Sequence, residues 1–413
     1  MATRTGESTD RSHARRRYAL SSVLSGQRLV TVGKVVRLPT IVREWTRIGI
    51  TGFGGPPTHI ALFRRLCVDE RGWLTSREFE DAIAATNMLP GPASTQLAIF
   101  CAWRLRGRFG AVVGGVCFIG PGLIVILGLS AVFLAHHPPL WIQGAAAGAG
   151  AAVAAVAVRA STGLMPASWR RTDDDRAGRV RWLCYLVAGA AAAATVGQYL
   201  VLVLLVCGFI EVAARTSARR GPSPGTSALF PAAIPAVGGF FALVWVAFKV
   251  GALSYGGGFV IVPLMQHDAV TTYHWMTATQ FLNAVALGQV TPGPVVQTVA
   301  VVGYAARGLG GGLVASLVAF APSFLFVIVG APHFDRLRAS AHVQAFLTGA
   351  GASAIGAIAG ASIPLGLALA HLWQLGVLAL AAAWLLGLRR GVVPALIAAG
   401  VLGVVAVMAG APP

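Results

Sequence analysis

Apolar runs of membrane-spanning length recur along most of the chain, at about 48–68, 79–103, 110–135, 140–160 and 182–213, then at 238–266, 278–304, 310–330, 342–364, 366–387 and 391–411. About 20 such residues in a helix cross the roughly 30 Å hydrocarbon layer. In hydrocarbon every backbone N–H and C=O needs a partner within the protein, so the runs must be helices or barrel strands. No alternating ten-residue segments of barrel type occur, which leaves helices. The run 182–213 is long enough for two short spans meeting near Gly197 and Gln198, giving ten to twelve hydrophobic helices. The expected fold is an all-α polytopic membrane protein seated in a lipid bilayer.

Only 11% of the 413 residues are charged, against about 25% in soluble domains. The formal charge of +18 comes from short Lys and Arg clusters between apolar runs. Nucleic-acid binding would need a basic face, and these clusters instead follow the positive-inside rule for cytoplasmic loops. Residues 1–40 are strongly basic and lack the apolar core of a signal peptide, so they read as a disordered cytoplasmic tail. The remainder divides into an N-terminal repeat (41–213), a linker (214–237) and a C-terminal repeat (238–413). The five cysteines form no CxxC pair, and the histidines lack metal-ligand spacing. His136 and His137 read as a solvated turn, and no metal or cofactor is expected.

An internal repeat organises the chain. GITGFGG at 49–55 aligns with GALSYGG at 251–257, an offset of 202 that carries Trp73, Thr75 and Phe79 onto Trp275, Thr277 and Phe281. Pro90, Gly91 and Pro92 fall on Pro292, Gly293 and Pro294; one residue then slips, and Arg106, Gly107 and Pro121 fall on Arg307, Gly308 and Pro322. Duplicated halves with matched Gly and Pro interruptions point to a secondary transporter. Basic residues sit one loop later in the second half than in the first, which favours inverted repeats. Counting six spans before a basic linker would start both halves on the same side, so broken elements such as 79–103 are expected to be re-entrant.

Each PGP stops one helix and can begin another inside the membrane. The free N–H groups of Ala93, Ser94 and Thr95, and of Val295, Val296 and Gln297, would then carry partial positive charge and favour an anion. Ser94, Thr95, Gln96, Gln297 and Thr298 could add donors; a plain proline kink is the alternative. The glycine runs, with Gly54 and Gly55 matching Gly256 and Gly257, either line the site or allow close helix crossing. They lack the strand context and GK[ST] of a nucleotide loop. Lys249, deep in an apolar segment, is expected as a fixed counter-charge or a snorkelling lysine. Glu78 and Asp81 are the acids considered for proton coupling, although acids at a helix start are ordinary dipole partners. No HExxH or GxSxG occurs, so an enzyme is not expected.

GFGGPPTHIALF, DERGWLT and LPGPAS, with SYGGGFVIVPLM and GQVTPGPVVQT in the second half, resemble the chromate ion transporter family, in its long two-domain form. The resemblance is strongest over about 45–135 and 243–330. It implies oppositely oriented halves and a bacterial inner-membrane carrier that exports chromate and confers resistance, driven by proton exchange or the membrane potential. Where the first half has GGPPT and LPGPAS, the second has GGGFV and TPGPVV, so unequal contributions to the site are expected. Sulfate is a tetrahedral dianion of similar size, and an anion channel is the neighbouring class. Expected partners are such an oxyanion, protons, lipid and a second copy in a homodimer.

Overall fold

The computed structural model describes residues 36–87, 89, 91–135, 138–172, 176–195, 199–217, 239–254, 260–333 and 339–412. Helices and no strands occur among them.

Helix α1 (Leu38–Thr51) ends where the glycine run begins, with Gly54 at φ 101° and Gly55 at φ 76°. Two prolines then open α2 (Pro56–Arg64), where a missing N–H costs nothing because the first-turn N–H groups have no helical partner. α2 runs on as a π turn, Arg65–Glu70. α1 and α2 fold back on each other, with Trp45 against Phe63 and Glu44 bound by Arg71 at 2.9 Å. Both outer ends therefore share one face of the protein, and the glycine run is the inner tip of this hairpin.

A second hairpin follows. α3 (Ser76–Thr86) starts from a capping box between Thr75 and Glu78. α4 (Ala93–Phe133) begins after the PGP and is broken at Arg106 (φ −151°) and Gly107 (φ 61°). Residues 93–105 and 108–133 lie antiparallel, since Gly110 packs on the backbone carbonyl of Ala102. At 1.5 Å per residue the first arm is about 20 Å long, too short to cross, whereas the second reaches about 39 Å. Arg104 returns to Glu78 at 2.6 Å and Arg106 to the Val36 carbonyl at 3.0 Å. The break thus lies at the face where α1 and α3 start, and α3 with 93–105 forms the re-entrant element expected at 79–103.

α5 (Leu140–Ala151) and α6 (Val153–Trp169) run on from each other through Ala152, which keeps right-handed helical angles. The run 182–213 resolves into α7 (Arg176–Thr195) and α8 (Leu200–Ser217). Glu211 near the end of α8 binds Arg181 near the start of α7 at 2.9 Å.

The second half repeats the plan. α9 (Phe240–Leu253), α10 (Ile261–Gln266, with the π turn His267–Thr272) and α11 (Ala278–Val290) precede the second PGP. Thr277 and Gln280 form a capping box where Thr75 and Glu78 do. A 3-10 turn (Val295–Gln297) leads into α12 (Thr298–Gly330), broken at Arg307 (φ −150°) and Gly308 (φ 61°), the same turn as in α4. α13 (Ala341–Leu367), α14 (Leu372–Ala382, with the π turn Ala383–Gly387) and α15 (Val392–Met408) complete the chain. By length and composition, α4, the α5–α6 pair, 295–330 and α13 are able to cross a membrane. The protein is a multi-pass membrane protein of two homologous halves.

The halves are inverted. Gly115 faces the ring of Phe324, and Gly312 faces Leu127, so the outer arms of α4 and α12 pass antiparallel. This register sets Ile119 opposite Phe320, its own equivalent at offset 201. A pseudo-twofold axis therefore runs between them, across the helices, and such an axis reverses one half relative to the other. The halves also interlock, with α7 and α8 packed on α13 and α15 packed on α5. Gly144 and Gly148 lie against Gly403 and Ala399, and Gly189 against Ser353. This is close helix approach of the kind small residues permit. Leu309, Leu313, Leu317, Leu325 and Val329 leave an apolar stripe on the outside of α12, where lipid is the matching solvent. Beyond Ser217, the linker expected at 214–237 lies outside the described residues.

Candidate functional site

Inner hairpin tips from opposite halves meet near the axis. The Gly293 N–H donates to the Gly52 carbonyl at 3.0 Å, and Gly55 faces Val295. The first-half glycine run therefore covers the second-half PGP. Gly256 and Gly257 lie outside the described residues, as does Pro90. Val260, just beyond the second glycine run, lines the same cavity as Gly91.

The two PGP tips differ. At the second, Pro292, Gly293, Pro294, Gln297 and Thr298 are all buried. The Gln297 amide donates to the Ile119 carbonyl at 2.6 Å, and the Thr298 hydroxyl to the Val295 carbonyl at 2.9 Å. Gly122 passes so close that a Cβ there would lie 2.1 Å from the Pro292 carbonyl oxygen. This terminus is sealed. At the first, Gly91 (φ 123°) and Ala93 open onto a cavity of about 140 Å³, room for a few waters at about 30 Å³ each.

Thr86, Asn87, Ser168, Arg171 and residues of α13 complete its wall, and no carboxylate is among the described lining residues. Arg171, exposed just past α6, stands at its edge. Its backbone carbonyl accepts from Arg215, so the edge lies at the face shared by α7 and α8. Ser94, Thr95 and Gln96 are buried in the first turn beneath Pro92, the N-cap.

One expectation is corrected here. The N–H groups of Thr95 and Gln297 bond back to the Pro92 and Pro294 carbonyls, both at 3.0 Å, because the first turns are tight. The outward-pointing donors are those of Ala93 and Ser94, and of Val295 and Val296. The buried side-chain oxygens that lack a partner among the described residues include Thr95 Oγ1, Gln297 Oε1 and Ser323 Oγ. The cavity wall is mostly apolar, with Thr86, Asn87, Ser168 and Arg171 as its polar side chains. Among the described lining residues it holds one cation and no acid, a balance suited to an anion.

The remaining candidates lie elsewhere. Lys249 pairs with Asp268 at 2.6 Å and lies over the Trp245 ring, so its charge is already met. Glu78 caps α3 and binds Arg104, and Asp81 is exposed at the same helix start; neither lines the cavity. Desolvation would raise the Glu78 pKa, but hydrogen bonds from Thr75 and the Arg104 guanidinium outweigh it and hold the carboxyl below its ordinary value. Arg171 and Ser323 were not singled out by sequence. Arg171 sits in an ordinary basic cluster, and Ser323 follows a proline whose match to Pro121 was visible without its meaning. Among the described residues no group of His, Cys, Asp and Glu is placed to hold a metal.

The chromate transporter family matches residues 39–212 and 241–405, most of both halves. The chain belongs to this family. It is 32% identical to a chromate transport protein of Cupriavidus metallidurans over 352 residues, 81% of this chain and 85% of that protein. It is 28% identical to a probable chromate transport protein of Synechococcus elongatus, covering 91% of this chain and 98% of the relative. A chromate transport protein of Pseudomonas aeruginosa is also 28% identical, over 79% of this chain and 80% of its own length. No solved structure matches the chain. The matched stretches of this chromate transporter family member include both PGP tips and the glycine run at Gly54 and Gly55.

Proposed function

We propose that this protein is a secondary carrier, not an enzyme, that moves chromate or a closely similar tetrahedral oxyanion such as sulfate out across a bacterial inner membrane and so confers resistance. The observation that carries the reading is the first PGP terminus, which opens Gly91 and Ala93 to a cavity edged by Arg171 and free of carboxylates among the described residues. Helix N-terminal N–H groups and a guanidinium suit an oxyanion, as both are donors of positive or partial positive character.

The face bearing Arg104, Arg106, Arg108, Arg170 and Arg171 is the basic one, so the positive-inside rule makes it cytoplasmic. The N-terminus then lies in the cytoplasm, and the cavity loads from there. An inside-negative potential favours outward movement of a dianion by about 2.3 kcal/mol per charge per 100 mV. Potential alone suffices to drive export, and exchange with protons is the second route.

Purified protein in liposomes tests this. Labelled chromate should move faster than in empty vesicles, should be blocked by excess sulfate and should respond to an imposed potential. Folded protein with no flux above empty vesicles would remove the assignment.

A further inference from the structure

We propose that Ser323, from the second half, is a direct ligand of the oxyanion held at the first-half PGP, so that one ion binds across both halves; this rests on the carrier reading above. Ser323 lies on the outer arm of α12 and is fully buried, at 0% exposure. Its Oγ stands 3.0 Å from the point a Cβ on Gly91 would occupy, and Gly91 lines the cavity. Other buried helical hydroxyls can bond back to their own helix, as Ser130 does to Ile126 at 2.7 Å, although Ser353 on α13 does not. The Ser323 Oγ has no partner among the described residues, a costly state for a buried hydroxyl. Thr95 Oγ1, in the first turn of the same site, is also fully buried and unpartnered.

The repeat sharpens the assignment. At offset 201, Ser323 falls on Gly122. There the matching space beside the second PGP is taken by the Pro292 carbonyl and the Gln297 amide. A hydroxyl is supplied at the open terminus, and its equivalent is deleted at the sealed one. Donation from Ser323 and from the Ala93 and Ser94 N–H groups suits a tetrahedral dianion whose oxygens all accept.

Sulfate or chromate binding to the full-length protein in detergent, by isothermal titration, tests this with Ser323→Ala, Thr95→Ala and a Ser130→Ala control. Ser323→Ala should weaken binding at least tenfold, raise the KM of flux more than it lowers the maximal rate, and leave the control unchanged. Ser323→Cys, nearly isosteric with a weaker donor, should fall between, and it decides the matter if Ser323→Ala does not fold. Wild-type affinity in the folded Ala or Cys variant, with wild-type binding intact, overturns the Ser323 assignment alone. Absence of any oxyanion binding by the wild-type protein overturns both this assignment and the carrier reading.

Discussion

Gly122→Ala is the substitution that bears hardest on the inverted packing. The added Cβ would lie 2.1 Å from the Pro292 carbonyl oxygen and 2.5 Å from Gln297 Oε1. Neither partner yields easily, because the loop is fixed by the bond from Gly293 to Gly52 and the amide by its bond to Ile119. Forced overpacking of this kind costs about 1–3 kcal/mol. Gly128 lies on the same helical arm with nothing within 4 Å of its added Cβ. Its replacement by Ala should stabilise by about 0.5–1 kcal/mol, through reduced backbone entropy in the unfolded chain. The two variants should therefore separate by about 1.5–4 kcal/mol. Thermal unfolding in detergent, followed by tryptophan fluorescence, should place Gly122→Ala several degrees below wild type and Gly128→Ala at or above it. Coincident midpoints would refute the packing of α4 against the second PGP.

Gly91→Val and Gly293→Val should each abolish flux in an inserted protein, since φ values of 123° and 96° are strained for any side chain, by about 1–3 kcal/mol; normal flux in both would contradict the anion-site geometry. Glu78 has a lowered folded pKa, so its contribution is present above the unfolded carboxyl value near 4.3 and is lost as pH falls through the folded value. Melting curves between pH 3 and 7 should show a smaller acid-side loss in Glu78→Gln, by under about 1 kcal/mol because the pair is partly exposed; identical profiles would argue against it. Asp268→Asn leaves Lys249 without its carboxylate and should destabilise by about 3–5 kcal/mol, whereas Lys249→Met with Asp268→Asn should recover much of that loss. Equal melting points for the single and double variants would show that the pair is not coupled.

Local chemistry was legible in the sequence. The matched PGP tripeptides, the Arg–Gly pairs at 106–107 and 307–308, and the threonines Thr75 and Thr277 recur in register in the sequence. The structure was needed to show that the pairs break helices and the threonines cap them. What one half does to the other was not legible. That Gly52 covers Gly293, that Ser323 faces Gly91, and that Gly122 rests on Pro292 are contacts between residues some two hundred positions apart. Periodicity and spacing carry no information on such pairs. Lys249 attracted attention as a charge in an apolar run, but its partner Asp268 lies beyond the helix end, where sequence gave no reason to join them. The one-residue slip between the halves left Ser323 aligned with Gly122, a difference whose weight appears only when the helices cross.

Inverted halves require that the two Arg–Gly breaks lie on opposite faces of the membrane, and labelling reads this directly. With Cys67, Cys101, Cys117, Cys184 and Cys207 replaced, a single cysteine is placed at Arg108 or at Leu309, both exposed beside the breaks. A membrane-impermeant maleimide is then applied to sealed right-side-out and inside-out vesicles. Arg108→Cys should react from one side only and Leu309→Cys only from the other. Labelling of both from the same side would contradict the inverted arrangement, and with it the asymmetric pair of PGP tips on which the proposed anion site depends.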